Sequence, residues 1–273
     1  MEKTTLNISE INNIISKAKE TFAYEVWIPS LQRNVMFREI TTGQQKRLLK
    51  AIIDSPVYNT EFIFALNGII KENCAESDVN IDELTIYDKL FIALTMRIYS
   101  IGKDLTFVIK TQKTGTEYKK VVNLLEIVEQ LKGLNLDTTN QTFLDSKNVF
   151  TITCGIPLIS DEYNLEKEIR VNVENEEMGS VIQNIFINEL VKYCKTLKIV
   201  NDNKEIELNF SNLTFKDRIK MLEALPTTLT KNIIEYISKF NKELNKVLIL
   251  NFDIEGEKIE QRIKLDANFF TVS

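Results

Sequence analysis

The chain contains no histidine among its 273 residues. This absence removes the side chain that most often acts as a general base and metal ligand, and it excludes Ser-His-Asp and Cys-His catalysis. Three cysteines, Cys74, Cys154 and Cys194, lie far apart and match neither a disulfide framework nor a zinc-binding pattern. The eight glycines are scattered, and no phosphate-binding loop or metalloprotease motif occurs. We therefore expect no cofactor and no metal.

Long apolar runs are also missing from the chain. No stretch approaches the roughly 20 residues that span a bilayer, and the N-terminal sequence MEKTTLNISEINN is too polar for a secretory signal. The formal net charge of -5 argues against a broad nucleic-acid surface, which needs clustered Lys and Arg. We expect a soluble protein that is made and first acts in a cytoplasm, without a membrane span or direct nucleic-acid contact.

Helical and alternating apolar patterns follow one another without a regular strand–helix–strand repeat, which predicts an α+β fold of helices combined with several β-hairpins. We expect four parts: an N-terminal amphipathic arm at 1–20, an α+β domain at 21–133, a linker or loop at 134–148, and a second α+β domain at 149–273. The isoleucines of the arm share one helical face, which packs either on its own domain or on a partner.

Turn and cap signals place the individual elements. Thr42 is the expected N-cap of the first domain helix, Thr85 and Asp88 form a capping-box-like pair, and Gly102 follows that second helix as its C-terminal cap. Predicted hairpins cover 24–40, 104–122, 197–210 and 246–265, with a further strand at 149–154. Predicted helices begin near 44 and cover 7–20, 59–73, 85–101, 123–132, 161–177 (with a loop), 181–193, 214–225 and 227–244.

One concentrated group of positive charge comes from the first hairpin and the helix after it. Its members are Arg33, Arg38, Lys46, Arg47 and Lys50. These side chains form either a solvated face or a docking surface for an acidic protein partner. Trp27, the only tryptophan, is either a core residue or an anchor of that surface, because interface hot spots favour Trp, Tyr and Arg.

Two other segments are candidates for partner contact. Phe269 and Phe270 are consecutive and cannot both face the same side of a strand, so one is expected in the core and the other against a partner. The acidic stretch at 161–177 matches no cation-binding loop, and it is interpreted as a solvated helix face or an acidic docking surface. Cys154 is interpreted as a small apolar core residue.

The stretch from Tyr24 to Leu49 resembles the baseplate hub and hub-assembly proteins of T-even-like bacteriophages, through the motifs VWIPSL and VMFREITTGQQKRLLKA. NTEFIFALNGIIKENC, LTIYDKLFIALTMRIYSIG, MLEALPTTLTKNIIEYI and the final NFF fit the same plan. ITCGIPLISDEYNLEKE carries Gly155, Pro157 and Glu162 of a later family element. A C-terminal cysteine pair of some family members is absent here, so no metal role is carried over.

The resemblance implies a non-enzymatic protein that contacts other hub or tail proteins. It can form an oligomer within their assembly. It leaves two roles open: a structural subunit kept in the virion tail baseplate, or a transient chaperone for a hub or tape-measure protein. In both roles the protein is in the host cytoplasm during assembly. An enzyme that uses carboxylates alone is the remaining alternative, and it requires a cleft with converging carboxylates.

Overall fold

The computed structural model describes residues 7–11, 14, 22–54, 60–175, 187, 189–201, 204–266 and 268–270. Helices and small antiparallel sheets occur together, which confirms the α+β prediction. The described residues form two compact units, each built from separated stretches of chain. Unit 1 takes its residues from Met1–Ile81, Leu90–Val128 and Lys264–Ser273, and unit 2 from Asp82–Lys89 and Glu129–Ile263.

Unit 1 contains two antiparallel β-hairpins and the helices that accompany them. Its strands and complete helices are β1 (Ala23–Ile28), β2 (Arg33–Arg38), α1 (Thr42–Asp54), α2 (Thr60–Asn73), β3 (Asp104–Lys110) and β4 (Glu117–Asn123). Two further helices, α3 (Ile86–Ser100) and α4 (Leu124–Lys132), contribute residues to both units.

The first hairpin follows from the alternation of its residues. Val26 lies opposite Val35, and Val35 and Phe37 are fully buried, whereas Met36 and Arg38 are only partly buried. Successive side chains of a strand point to opposite faces, so Val35 and Phe37 share the face of β2 that joins the core. Burying each of these large apolar side chains contributes about 1.5–3 kcal/mol to folding.

Helix α1 begins with a capping box at Thr41 and not at the expected Thr42. The Gln44 amide donates to Thr41 Oγ1 at 3.2 Å, and the Thr41 amide donates to Gln44 Oε1 at 2.9 Å. Gln45, which would complete the same box for Thr42, instead donates from Nε2 to the Phe270 carbonyl at 2.7 Å. The one-residue error arose because both threonines have a glutamine three residues later.

A buried arginine joins three segments of unit 1. Arg97 of α3 donates from Nη1 to the Gly102 carbonyl and from Nη2 to the Asp104 carbonyl at 2.9 Å, at the start of β3. Its guanidinium also lies 5.7 Å from the ring centroid of Phe269. Burial lowers the pKa of Arg97, while the Asp104 charge acts in the opposite direction. Gly102 has φ +141, which confirms its predicted place after the helix.

Unit 2 contains six strands and three complete α-helices among the described residues. They are β5 (Gln141–Leu144), β6 (Phe150–Cys154), α5 (Ile159–Asn175), β7 (Cys194–Asn201), β8 (Lys204–Asn209), α6 (Phe215–Ala224), α7 (Thr227–Leu248), β9 (Ile249–Ile254) and β10 (Glu257–Arg262). A four-stranded antiparallel sheet has the order β5-β6-β7-β8, and a separate hairpin of β9 and β10 follows the long helix α7.

The core of unit 2 lies between one face of this sheet and its helices. Ile152 and Leu197 of the central strands cluster with Leu165 of α5, Leu222 of α6 and Ile233 of α7. Cys154 is part of the same cluster and fully buried, as the sequence predicts. The spacing of apolar residues along α7 places one face on the sheet, which is how an amphipathic helix covers a half-buried surface.

Two elements of unit 2 differ from the sequence prediction. Strand β5 lies within the expected linker at 134–148, because a four-residue strand of mixed polarity has too little alternation to be recognised. Helix α7 continues to Leu248, so the predicted strand at 246–254 begins only at Ile249. The run Val-Leu-Ile-Leu is compatible with the residue spacing of a helix and of a strand. The helix forms because it buries Val247 and Leu248.

Several predicted segments lie partly outside the described residues, and three of them are affected most. The N-terminal helix is described at 7–11 and 14, where Asn7 and Glu10 form a capping pair through bonds of 2.8 and 2.9 Å. In the predicted helix at 181–193, the described residues 187 and 189–193 are helical, whereas Ile182, Ile185 and Phe186 lie outside. Asp202 and Asn203 of the β7–β8 turn also lie outside.

The capping box at Thr41 predicts different effects for two neighbouring threonines. Thr41→Ala removes the acceptor of the Gln44 amide, and we expect the free energy of unfolding to fall by about 1 kcal/mol. Thr42→Ala is the matched control, because Thr42 is exposed in the first turn and alanine favours helix. Trp27 fluorescence during urea unfolding measures both. Equal losses would show that the box does not stabilise α1.

Substitution of the buried Arg97 should lower the free energy of unfolding more than Thr41→Ala does. Arg97→Met leaves two carbonyl oxygens without their donor, and we expect the free energy of unfolding to fall by roughly 3 kcal/mol. Arg33→Met is the control, since the Arg33 side chain is 42% exposed and solvent weakens its ion pairs. Urea unfolding followed by Trp27 fluorescence compares the two. An Arg97→Met variant as stable as Arg33→Met would contradict this account.

Candidate functional site

The five basic residues predicted from the sequence all lie in unit 1, and the structure separates them by their contacts. Arg33 forms ion pairs with Glu76 at 2.5 Å and with Asp78 at 3.1 Å. Glu76 also accepts a hydrogen bond from the Met36 amide at 2.7 Å, so this carboxylate binds both a side chain and the backbone of β2. The hydrogen bond from Arg33 holds the pKa of Glu76 below its ordinary value. Arg33 therefore anchors the connector after α2 to the first hairpin.

Arg38 contacts its own unit, whereas Trp27 lies on the outer face of β1. Arg38 Nη1 donates to the Cys74 carbonyl at 3.3 Å, beside an isolated bridge between Phe37 and Cys74. Trp27 lies opposite Asn34 in the hairpin and is only partly buried, on the face of β1 opposite to its buried residues. Both residues keep some exposed surface.

Arg47 of α1 is held by a carboxylate of the neighbouring helix. Its Nη1 lies 2.9 Å from Glu72 Oε1, and Nη2 donates to Oε2 of the same side chain at 2.9 Å. This two-point contact lowers the pKa of Glu72. The pair joins α1 to α2, and the Arg47 side chain remains partly exposed.

Lys46, Lys50 and Ile53 form the outer face of α1, which we call the α1 stripe. All three side chains are exposed, and Ile53 is 78% exposed. Within the described part of the chain, neither lysine forms an ion pair. Residues at i, i+4 and i+7 share one side of a helix, so the two ammonium groups flank an exposed apolar side chain.

Sequence reasoning missed Ile53 as a surface residue. From the sequence, its apolar character predicts that it faces inward together with Leu48, Leu49 and Ile52. Helical spacing from Lys46 and Lys50 was the signal that places it on the outer face instead. Leu48 is fully buried and Ile52 partly buried, so the inward face of α1 is otherwise as expected.

Phe269 and Phe270 are both buried in unit 1, in a short 3-10 turn rather than a strand. Their rings meet edge to face at 5.1 Å, and Phe270 lies 6.2 Å from Phe62 of α2. A turn lets consecutive side chains share one side, which a strand does not allow. Contact of either ring with a partner would require this segment to leave the core.

The acidic stretch of unit 2 is largely neutralised where its side chains are described. Glu162 pairs with Lys89 at 2.5 Å, and Glu166 lies 3.6 Å from Lys192. Asp161 pairs with Lys195 at 2.6 Å, and it is the one carboxylate among the described residues that line a small cleft of unit 2. Side chains from 168 onward in this stretch lie outside the described residues. Among the described residues that line this cleft, no second carboxylate converges with Asp161.

The described residues also bear on metal binding and membrane insertion. No group of three or more Cys, Asp or Glu side chains is arranged there to hold a metal ion. Among the helices that the structure describes, none combines the length and apolar character needed to cross a membrane.

A family model described as T4 bacteriophage base plate protein matches residues 21–265. The chain belongs to this family. The match begins just before β1, includes the α1 stripe and continues beyond β10. No curated protein and no solved structure gives a significant match. Membership in a base plate family makes the chain a bacteriophage structural protein, which implies contact with other tail or baseplate proteins.

The Arg33–Glu76 contact predicts how this base plate protein responds to acid. Because the folded-state pKa of Glu76 lies below its ordinary value of 4.5, its contribution to stability is complete above pH 4.5. It is lost as the pH falls below 4.5 and through the lowered folded-state pKa.

Glu76→Gln is neutral at every pH, so we expect its melting temperature to fall less steeply below pH 4.5 than that of the wild type. Glu223→Gln, an exposed site on α6, is the control and should follow the wild type. Thermal melts between pH 3 and 7 measure the slopes. Parallel curves for Glu76→Gln and the wild type would contradict this assignment.

Proposed function

We propose that the chain is a non-enzymatic structural subunit of the phage baseplate hub and that it remains in the virion tail. The observation that carries this proposal is the base plate family match over residues 21–265, which covers most of the chain. Hub membership is supported by the sequence motifs around Tyr24–Leu49. The chain is present in the host cytoplasm while the tail is assembled.

Several observations support a role without catalysis. The chain has no histidine, and the described residues that line the unit 2 cleft include one carboxylate, which is paired with a lysine. General acid–base catalysis by carboxylates needs two such groups with different environments. The Asp161–Lys195 ion pair is therefore better explained as a structural contact than as catalytic machinery.

The α1 stripe is the proposed contact surface for a neighbouring baseplate protein. Lys46 and Lys50 carry compact positive charges without an ion-pair partner in the described chain, and Ile53 supplies an exposed apolar centre. Interfaces combine an apolar core with a charged rim, and complementary charge selects the partner. The partner surface is accordingly acidic around an apolar pocket.

The other predicted residues contribute less to this surface. Arg33, Arg38 and Arg47 each have contacts inside unit 1, so a partner would compete with those contacts. Trp27 keeps an exposed part beside Asn34 and remains a candidate anchor at the edge of the hairpin. Phe269 and Phe270 support the surface indirectly, through the bond between the Phe270 carbonyl and Gln45 of α1.

The N-terminal arm is a second proposed contact. Ile8, Ile11 and Ile14 are 77%, 41% and 54% exposed. Their spacing places them along one side of a helix, which is the pattern of an amphipathic helix that docks in a groove. We assign this side to the same assembly, in preference to packing on its own domain.

Quantitative mass spectrometry of purified phage particles tests retention in the virion. We expect peptides of this chain at a fixed whole-number ratio to another baseplate protein. Absence from particles, together with co-purification with a hub or tape-measure protein from infected-cell lysate, would contradict the structural role and establish the transient chaperone instead.

Charge reversal tests the α1 stripe. Lys46→Glu with Lys50→Glu should lower the number of copies in particles at least roughly tenfold, because an acidic partner then meets like charge. Lys110→Glu with Lys119→Glu is the control, since it changes the same charge on the exposed β3–β4 hairpin. Complementation of a phage lacking the gene provides the particles, and thermal melts confirm that both variants fold. Equal incorporation of the two variants would show that the stripe is a solvated face.

A further inference from the structure

Two cysteines that are distant in the sequence lie directly opposite each other in the sheet of unit 2. Cys154 ends β6 and Cys194 begins β7, and the two residues are register partners beside a bulge between Thr153 and Cys154. Sequence spacing gave no reason to pair them, because their juxtaposition depends on the alignment of strands that are separated by α5. Cys74 lies in unit 1 and is only partly buried.

Hydrogen bonding around the pair sets its geometry. The Gly155 amide donates to the Tyr193 carbonyl at 2.9 Å, which flanks the two cysteines on one side. Flanking bonds of this kind mark a non-hydrogen-bonded antiparallel pair, whose Cα atoms are about 4.5 Å apart with side chains close together. Disulfides join Cα atoms separated by about 4.4–6.8 Å, so this position is compatible with a covalent bridge.

Both thiols face the same apolar core. Cys154 and Cys194 are buried members of one cluster with Ile152 and Leu197. Cys194 Sγ donates to the Leu190 carbonyl at 3.4 Å, and the Cys154 thiol is its neighbour across the two strands. The contact with Cys154 and burial together raise the pKa of the Cys194 thiol. The pair is therefore held in reach of each other as thiols in the reduced protein.

We propose that Cys154 and Cys194 form an oxidisable pair that closes to an intramolecular cross-strand disulfide. One thiolate attacks a disulfide oxidant such as oxidised glutathione, which releases one glutathione thiol and leaves a mixed disulfide. The second cysteine then attacks the protein sulfur, loses its proton and displaces the second glutathione. Two protein thiols are oxidised, one Sγ–Sγ bond forms, and one oxidant disulfide is reduced to two thiols.

The bridge joins the two central strands of the sheet and closes the chain between them. Closing a loop restricts the unfolded state, so the oxidised protein should unfold at a temperature about 5–10 °C higher than the reduced protein. This inference is independent of the proposed function, because it depends on the register of β6 and β7 alone.

Overnight incubation of the full-length protein with oxidised glutathione tests the pair. Alkylation, intact mass and peptide mapping should then show one remaining free thiol, at Cys74, and a linked peptide containing Cys154 and Cys194. The melting temperature should rise, and dithiothreitol should reverse the rise. Three free thiols, glutathione adducts without the internal link, or a link that includes Cys74 would each overturn the proposal.

Variants separate the pair from the third cysteine. Cys74→Ser should retain both the linked peptide and the rise in melting temperature. Cys154→Ala and Cys194→Ala should lose both, while their melting temperatures no longer respond to the oxidant. If either alanine variant fails to fold, the peptide map of the wild type decides the question, because it needs no substitution in the core.

Discussion

The buried guanidinium of Arg97 is the contact on which the arrangement of unit 1 depends. It bonds to the carbonyls of Gly102 and Asp104, so the end of α3 and the start of β3 are held together. It also lies against Phe269, whose neighbour Phe270 accepts a hydrogen bond from Gln45 of α1. Arginine suits this place because it stays charged and offers five donors in a fixed plane. Through this sequence of contacts, a core residue supports the helix that carries the α1 stripe.

Local chemistry allowed much of the fold to be predicted from the sequence. Thr85 and Asp88 form the expected reciprocal cap, with the Thr85 amide bonded to Asp88 Oδ2 at 2.7 Å and the Asp88 amide to Thr85 Oγ1 at 3.1 Å. The hairpin of β3 and β4 turns at Gly115, where φ is +70. These features depend on residues within a few positions of each other, so the sequence contains all the information they need.

Features that depend on residues far apart in the chain could not be predicted from the sequence. The partners of Arg33 and Arg47 are Glu76 and Glu72, so the sequence could not distinguish an engaged arginine from a free lysine. The same holds for Cys154 and Cys194, whose pairing depends on strand register. Of the five basic residues, only Lys46 and Lys50 have neither an ion pair nor a side-chain hydrogen bond within the described part of the chain, and Ile53 adds an apolar centre beside them.

We propose that this base plate protein holds its place among neighbouring proteins through the charged and apolar side chains of the α1 stripe. Cryo-electron microscopy of the baseplate in intact particles would show whether it does. We expect density for unit 1 with Lys46 and Lys50 against carboxylates of a neighbouring protein and with Ile53 covered. A baseplate that lacks the chain, or one that holds it with the α1 stripe in solvent, would rule this role out.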